Sequence, residues 1–228
     1  MFFCKWSTRS FKRSDSMKIG KNLAVILCNG EPPEKEQLQR SIDTADLFIA
    51  ADGGGNIALQ YNLLPDIIIG DLDSFHQPDT VTVPVLHKPD QNINDLEKAL
   101  NHITQLEVEN VLVFGATGQR LDHTVKNLSV MKQFHNQFNT LVFRDKFCDI
   151  KLINSPHTEQ VTPGTQISLF PLSGKVTGIS SSGLKYKLNN HSLENGVFDG
   201  TSNESVSDQV VITYESGDLL LFINHQTD

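Results

Sequence analysis

Residues 67–74 read Ile67-Ile-Ile-Gly-Asp-Leu-Asp-Ser74. Three consecutive β-branched apolar residues suit a strand covered on both faces, as in a parallel sheet. Gly70 ends the run, and two carboxylates, Asp71 and Asp73, follow with the hydroxyl of Ser74. In an open α/β sheet, ligands bind beyond the carboxyl ends of the strands. Two anions placed there repel each other unless a cation lies between them, and a hard divalent ion such as Mg²⁺ suits oxygen ligands. A simple turn is the competing reading, since Gly, Asp and Ser are common turn formers.

Neighbouring segments repeat the pattern. Leu23 to Leu27 is an apolar run ending in Cys28-Asn29-Gly30, and Leu47 to Ala51 is a second run closed by Asp52-Gly-Gly-Gly-Asn56. Three glycines let the backbone approach a ligand closely, and free N–H groups at a helix start suit an anion. Pro32 and Pro33 ahead of Glu34 and Glu36 open a helix whose buried face holds Leu38 and Ile42. Val81 to Leu86 contains Pro84 and reads as an edge strand. In the segment after Asp90, Asn94 reads as an N-cap with Glu97 at the third helical position, and Leu96, Ala99, Leu100 and Ile103 face the sheet. Asp95 then projects from the first helical turn, where the helix dipole also favours a carboxylate. Val111 to Phe114 runs into a glycine-rich segment, and the helix that follows is expected to bury Leu121, Val125, Leu128, Met131 and Phe134 or Phe138. Arg120 at that helix start can grip a phosphate with two parallel hydrogen bonds or pair with Asp122. Thr140 to Phe143 closes the alternation of strands and helices.

Beyond about Asp145 helical periodicity stops. Short strands, clearest at Ile167–Phe170, Gln209–Tyr214 and Leu219–Ile223, are separated by regular Gly, Pro and Asn turn signals. The expected fold is therefore α/β: an N-terminal Rossmann-like, mostly parallel sheet with flanking helices over 17–147, and a C-terminal all-β sandwich over 148–228. Residues 1–16, basic and holding the single Trp6, read as a disordered extension ahead of a second possible start at Met17.

The chain of 228 residues, 38% of them hydrophobic, is long enough for a sizeable core. Its formal charge of −8 argues against a general nucleic-acid binder. No stretch approaches the roughly 18 apolar residues of a membrane span. Cys4, Cys28 and Cys148 form no metal-type pair and no disulfide framework, which fits a reducing cytoplasm.

A parallel sheet would bring Asp52, Asp71, Asp73, Asp90, Asp95 and the segment Gly115–Asp122 to one rim. Acids hold metal while glycine amides and Arg hold phosphate, so the set suits a metal-bound polyphosphate. Four segments, Ala51-Asp-Gly-Gly-Gly-Asn56, Gly70-Asp-Leu-Asp-Ser74, Asp90-Gln-Asn-Ile-Asn-Asp95 and Gly115-Ala-Thr-Gly-Gln-Arg-Leu-Asp-His123, resemble in order the motifs of thiamine pyrophosphokinases. Gly178-Ile-Ser-Ser-Ser-Gly-Leu-Lys-Tyr186 and Gly200-Thr-Ser-Asn203 resemble that family's second domain.

The resemblance implies transfer of diphosphate from ATP to the hydroxyl of thiamine, with AMP released, in a homodimer whose sites lie between subunits. It implies Asp71, Asp73 and Asp95 as the catalytic, Mg²⁺-holding carboxylates, with Asp71 or Asp95 a candidate base for the thiamine hydroxyl. It implies Asp52, Gly53, Gly54, Asn56, Gln91, Lys98, Gly115, Gly118, Arg120 and Asp122 around ATP, and Gln91, Tyr186, Ser202 and Asn203 around thiamine. Asn94 stands where the family often has Thr, Gln119 where it often has Gly, and Tyr186 where some members have Trp. The alternatives are a pyrophosphokinase acting on a hydroxymethyl pterin, an Asp-x-Asp metal-dependent glycosyltransferase and a non-enzymatic nucleotide sensor.

Overall fold

The structure, a computed structural model, describes residues 23–79 and 82–225. The expected extension, Trp6 and Val81 lie outside the described residues. The α/β half is built from β1 (Leu23–Leu27), α1 (Lys35–Thr44), β2 (Leu47–Ala51), α2 (Gly54–Gln60), β3 (Ile67–Gly70), β4 (Val85–His87), α3 (Asp95–Ile103), β5 (Asn110–Phe114), α4 (Leu121–Phe134) and β6 (Thr140–Arg144). The β half contributes β7 (Cys148–Ile153), β8 (His157–Gln160), β9 (Gln166–Pro171), β10 (Val176–Ser182), β11 (His191–Leu193), β12 (Gly200–Glu204), β13 (Gln209–Thr213) and β14 (Leu219–Asn224).

The six strands β4-β3-β2-β1-β5-β6 are all parallel, with the short β4 at the edge as its proline suggested. Central strands are buried on both faces, which is why they read as unbroken apolar runs: Ala24, Val25, Ile26 and Leu27 have no exposed surface. One face is covered by α3 and α4 through Leu96, Leu100, Ile103, Met131 and Phe134. The other is covered by α1 and α2 through Leu38, Ile42, Ile57 and Ala58.

Helix α4 departs from the expected packing. Leu121 and Val125 are 76% and 60% exposed, while Asn127, Val130, Met131 and Phe134 form the buried stripe. The polar Asn127 takes the inward slot, so the core-facing stripe is rotated from the one that the apolar residues alone define.

Between the halves the sheet does not stop. Asp145 accepts hydrogen bonds from the Phe147 and Cys148 amides at 2.7 and 2.8 Å, turning the chain tightly. Strand β7 therefore returns antiparallel beside β6, and the sheet continues through β14, β9 and β12 to ten strands. The pair Arg144–Asp149 bridges this junction, where the guanidinium bonds both carboxylate oxygens. A second sheet, β11-β10-β13-β8, packs over the far end of the first. The sandwich core joins Ile153, Leu169 and Leu221 of the long sheet to Ile179, Val210 and Ile212 of the short one. Half of the expected sandwich is thus an extension of the parallel sheet. Among the described residues, no helix is long and apolar enough to cross a membrane.

Leu221 has no exposed surface and packs between the two sheets. Replacing it with Ala should cost about 2–5 kcal/mol of stability. Urea unfolding of Leu221→Ala would read this as a lower midpoint, and an unchanged midpoint would contradict the inter-sheet core.

Candidate active site

Strand order reverses at β1, which has β2 on one side and β5 on the other. That reversal opens a crevice at the carboxyl ends of the strands. A cavity of about 600 Å³ lies there, walled by Asn29 and Gly30 after β1, Asp52 after β2, Asp71 and Asp73 after β3, Gln91 to Lys98 at the start of α3, and Gly115 to Arg120 after β5.

Oxygens of Asp52, Asp71 and Asp73 all lie within 4.8 Å of one another. Close packing brings this about. A Cβ placed on Gly70 would stand 2.7 Å from the Asp52 Cβ and 3.2 Å from Asp95 Oδ1, so only glycine lets both carboxylates approach the end of β3. Asp52 also adopts a positive φ of 42°, a conformation non-glycine residues use sparingly and often at functional sites.

The partners of these carboxylates are unequal. Asp71 accepts a hydrogen bond from Gln91 Nε2 at 2.7 Å and has Lys98 Nζ at 3.7 Å. Asp95 accepts from Lys98 Nζ at 2.9 Å, and the Ser74 hydroxyl donates to Asp73 at 2.9 Å. Lys98 is itself buried, its side chain 2% exposed. Asp52 Oδ1 is buried without a hydrogen-bond partner. Burial, and next the charge of Asp95, push the Asp52 carboxyl above its ordinary range. Burial also pushes on Asp71, but the Gln91 amide, with the Asp73 amide and Lys98, holds it below that range.

One lysine cannot balance four carboxylates. Two like charges at this spacing repel by roughly 3 kcal/mol at an effective dielectric of about 20. The orphaned oxygen and the all-oxygen donor set both fit a hard divalent cation.

Opposite the acids stands the segment after β5. Gly115 and Gly118 have positive φ of 66° and 80°, and Gln119 has 51°. Gly30 N–H donates to Gly115 O at 2.8 Å, and Gln119 Nε2 donates to Gly30 O at 2.8 Å, which ties this loop to β1. Arg120 is exposed and engages both oxygens of Asp122, the ion-pair alternative of the sequence reading. The Asp122 hydrogen bond raises the Arg120 pKa still further, so the guanidinium stays charged.

Other expected site residues lie elsewhere. Gly53 and Gly54 are buried, and a Cβ on them would strike Asn29 and the Leu27 carbonyl at 2.3 and 2.1 Å. Their missing side chains let α2 pack on the end of β1. Asn56 donates to Ser74 O and accepts from His76 N–H, pinning the loop that carries Asp71 and Asp73. Gly53, Gly54, Asn56 and Asp122 do not line the cavity, and among the described residues neither does any beyond Asn127. Tyr186 is exposed, Ser202 has a positive φ of 59°, and the buried Asn203 bonds the Tyr186 backbone through both its polar groups.

Asn29, Lys126 and Asn127 also line the cavity, and sequence reasoning passed over them. Asn127 left no readable signal, because the apolar residues of α4 define a stripe that does not include it.

A family model described as "Thiamin pyrophosphokinase, catalytic domain" matches residues 38–143, and one described as "Thiamin pyrophosphokinase, vitamin B1 binding domain" matches 152–219. The chain is 31% identical over 208 residues to a Caenorhabditis elegans protein named thiamin pyrophosphokinase 1, across 84% of this chain and 85% of that one. The chain belongs to the thiamine pyrophosphokinase family. A rice thiamine pyrophosphokinase 1 is 29% identical, over 85% of this chain and 84% of its own. The crystal structure of the Bacillus subtilis thiamine pyrophosphokinase superposes with a TM-score of 0.78 at 20% identity, covering 90% of this chain and 100% of its own. That of Candida albicans gives 0.79 at 18% identity, over 90% of each chain, and these two show the fold. Within the family frame the acids and Arg120 fall in the catalytic match, and Tyr186, Ser202 and Asn203 fall in the vitamin B1 binding match.

The raised Asp52 carboxyl gives a sign to a stability test. A folded pKa above the unfolded value near 3.9 leaves no penalty at lower pH and a full penalty above the folded pKa. Asp52→Asn should therefore raise the melting temperature of the chelator-treated protein at pH 7, and the gain should vanish as pH falls below about 4. It should also weaken the further stabilisation by added Mg²⁺. Thermal unfolding checks both, and a variant less stable than the parent at pH 7 would contradict the orphaned charge.

Proposed function

We propose that this chain transfers the terminal diphosphate of Mg²⁺-ATP to the hydroxyl of thiamine, giving thiamine diphosphate and AMP. The observation that carries the reading is one rim holding three converging carboxylates with an unpaired buried oxygen, faced by a glycine-rich loop with a charged arginine.

In this reading Asp71 and Asp73 would hold Mg²⁺ together with Asp95, which is bonded to Lys98, and Asp52, the third member of the converging trio, adds its free oxygen to the same negative field. The ion's chemistry is to draw charge from phosphate oxygens as AMP leaves. The protein's part is position and electrostatics. Amides of Gly115 and Gly118 and the guanidinium of Arg120 bind the triphosphate, with Arg120 exchanging the Asp122 carboxylate for phosphate. Lys98 contacts both Asp71 and Asp95, fixes their direction, and joins Gln91 in holding the Asp71 carboxyl below the ordinary range. Asp71 or Asp95 takes the proton from the thiamine hydroxyl, and Gln91, already bonded to Asp71, orients that acceptor.

Residues 17–147 serve ATP and residues 148–228 serve thiamine. Among the described residues none beyond Asn127 walls the cavity, which supports a reading in which a second copy supplies the thiamine-side residues Tyr186, Ser202 and Asn203. Exposed Leu121 and Val125 on α4 fit burial in such a homodimer. A cytoplasmic setting fits the buried, unpaired thiols of Cys28 and Cys148, the latter pushed by burial up to about 12.

Incubation with ATP, Mg²⁺ and a panel of acceptors tests the reading by release of AMP. Thiamine should give AMP and thiamine diphosphate in equal amounts, while a hydroxymethyl pterin should give neither. Asp71→Asn or Asp73→Asn should lower kcat on the order of 10²–10³-fold with the fold intact by circular dichroism. AMP formed only with the pterin, or no AMP with any acceptor, would overturn the assignment.

A further inference from the structure

Among the described residues, the buried charged or amide side chains of the α/β half are Asp52, Glu97, Lys98 and Asn127. Asp52 and Lys98 belong to the carboxylate cluster. Asn127, on the second turn of α4, is 7% exposed, and both its polar atoms are already engaged. Its Nδ2 donates to the carbonyl of Ala116 at 2.7 Å. Its Oδ1 accepts from Asn94 Nδ2, also at 2.7 Å. Asn94 in turn uses its remaining Oδ1 to accept the Glu97 amide at 3.0 Å, capping α3.

The direction of this chain is fixed by its ends. A backbone carbonyl can only accept, so the Asn127 group facing Ala116 is NH₂. A backbone amide can only donate, so the Asn94 group facing Glu97 is oxygen. The two remaining atoms, the Asn94 NH₂ and the Asn127 oxygen, then match each other with no freedom to flip. The connected elements matter. Asn94 immediately precedes Asp95, and Ala116 lies between the positive-φ residues Gly115 and Gly118. One hydrogen-bonded chain thus joins the carboxylate side of the cavity to the glycine-rich side.

Glu97 at the third helical position does not return to the Asn94 amide, as a capping box would require. It bonds Lys126 Nζ and Gln133 Nε2 on α4, both at 3.1 Å. The seam between α3 and α4 is therefore pinned at two levels, and only the Asn94–Asn127 level reaches the loop.

We propose that Asn127 is a positioning residue: acting through Asn94 and Ala116, it sets the spacing between the Asp95 carboxylate and the Gly115–Gly118 loop, so that metal and triphosphate are bound as one unit. This rests on the diphosphate-transfer reading for its consequence in turnover, while the spacing itself is read by binding.

Asn94→Thr separates the two tasks of that side chain. A threonine hydroxyl still caps the helix, but its side chain is one bond shorter and lacks the Nδ2 that reaches Asn127. Asn127→Leu removes both bonds, and the double variant tests whether they work as one chain. The measurement is calorimetric titration of Mg²⁺ with a non-hydrolysable ATP analogue, beside melting temperature, kcat and the KM values of both substrates. Asn94→Thr should melt within a few degrees of the parent yet bind the Mg²⁺–nucleotide pair about tenfold more weakly. The KM for ATP should rise while that for thiamine stays within about twofold. The double variant should be no weaker than Asn127→Leu alone, because either change breaks the same chain.

If Asn127→Leu does not fold, Asn94→Thr decides alone. Affinity of Asn94→Thr within twofold of the parent would overturn the proposal, whatever its melting temperature. Additive losses in a folded double variant would overturn it as well. Should the parent release no AMP with thiamine but the variants still bind the nucleotide pair more weakly, the positioning role stands and the reaction assignment fails.

Discussion

Mutual repulsion of carboxylates is the constraint that the rest of this structure accommodates. The parallel sheet delivers Asp52, Asp71 and Asp73 to one rim at distances where their charges act strongly on each other, and Asp95 joins them through Lys98. Nothing in helix or strand propensity favours that. It is tolerated because the surrounding chain fixes each acid separately: Gly70 lets Asp52 and Asp95 come close, Gln91 holds Asp71, Ser74 holds Asp73 and Lys98 sits between two of them. The unpaired Asp52 oxygen is the part of the charge left for an outside cation to satisfy.

The glycine-rich loop on the other wall answers the opposite requirement. Its positive-φ residues Gly115, Gly118 and Gln119 line the cavity, and Arg120 is held at the surface by Asp122. The converging carboxylates and the glycine-rich loop with Arg120 thus stand on separate walls of one crevice, which suits a ligand carrying both a metal and phosphates. The two walls come from distant parts of the chain, so their spacing is a tertiary property carried by side chains such as Asn127.

Much of this was legible in the sequence because burial on both faces leaves continuous apolar runs. Strands β1, β2 and β3 and the cap and buried face of α3 stand where the residue pattern puts them. Acids placed just after those runs could be assigned to a common rim by topology alone. What could not be read were features set by contact between distant segments. The stripe of α4 misled because an amide, Asn127, took an inward slot that apolar counting reserves for hydrocarbon. Gly53 and Gly54 looked like a ligand cradle, yet their backbones are pressed against Asn29 and Leu27, a packing demand invisible until β1 and α2 meet. Nor does the turn signal at Asp145 say that the next strand returns to the same sheet and extends it.

That last feature reaches beyond architecture. A hydrogen-bonded ladder running without interruption from β4 to β12 leaves no seam within the chain about which one half could swing. Access for two substrates must then come from loop motion at the rim. A rigid slab of this kind also offers a path for load: the far edge β12 lies seven strands from β2 and eight from β3, joined to the carboxylate rim by an unbroken series of backbone hydrogen bonds.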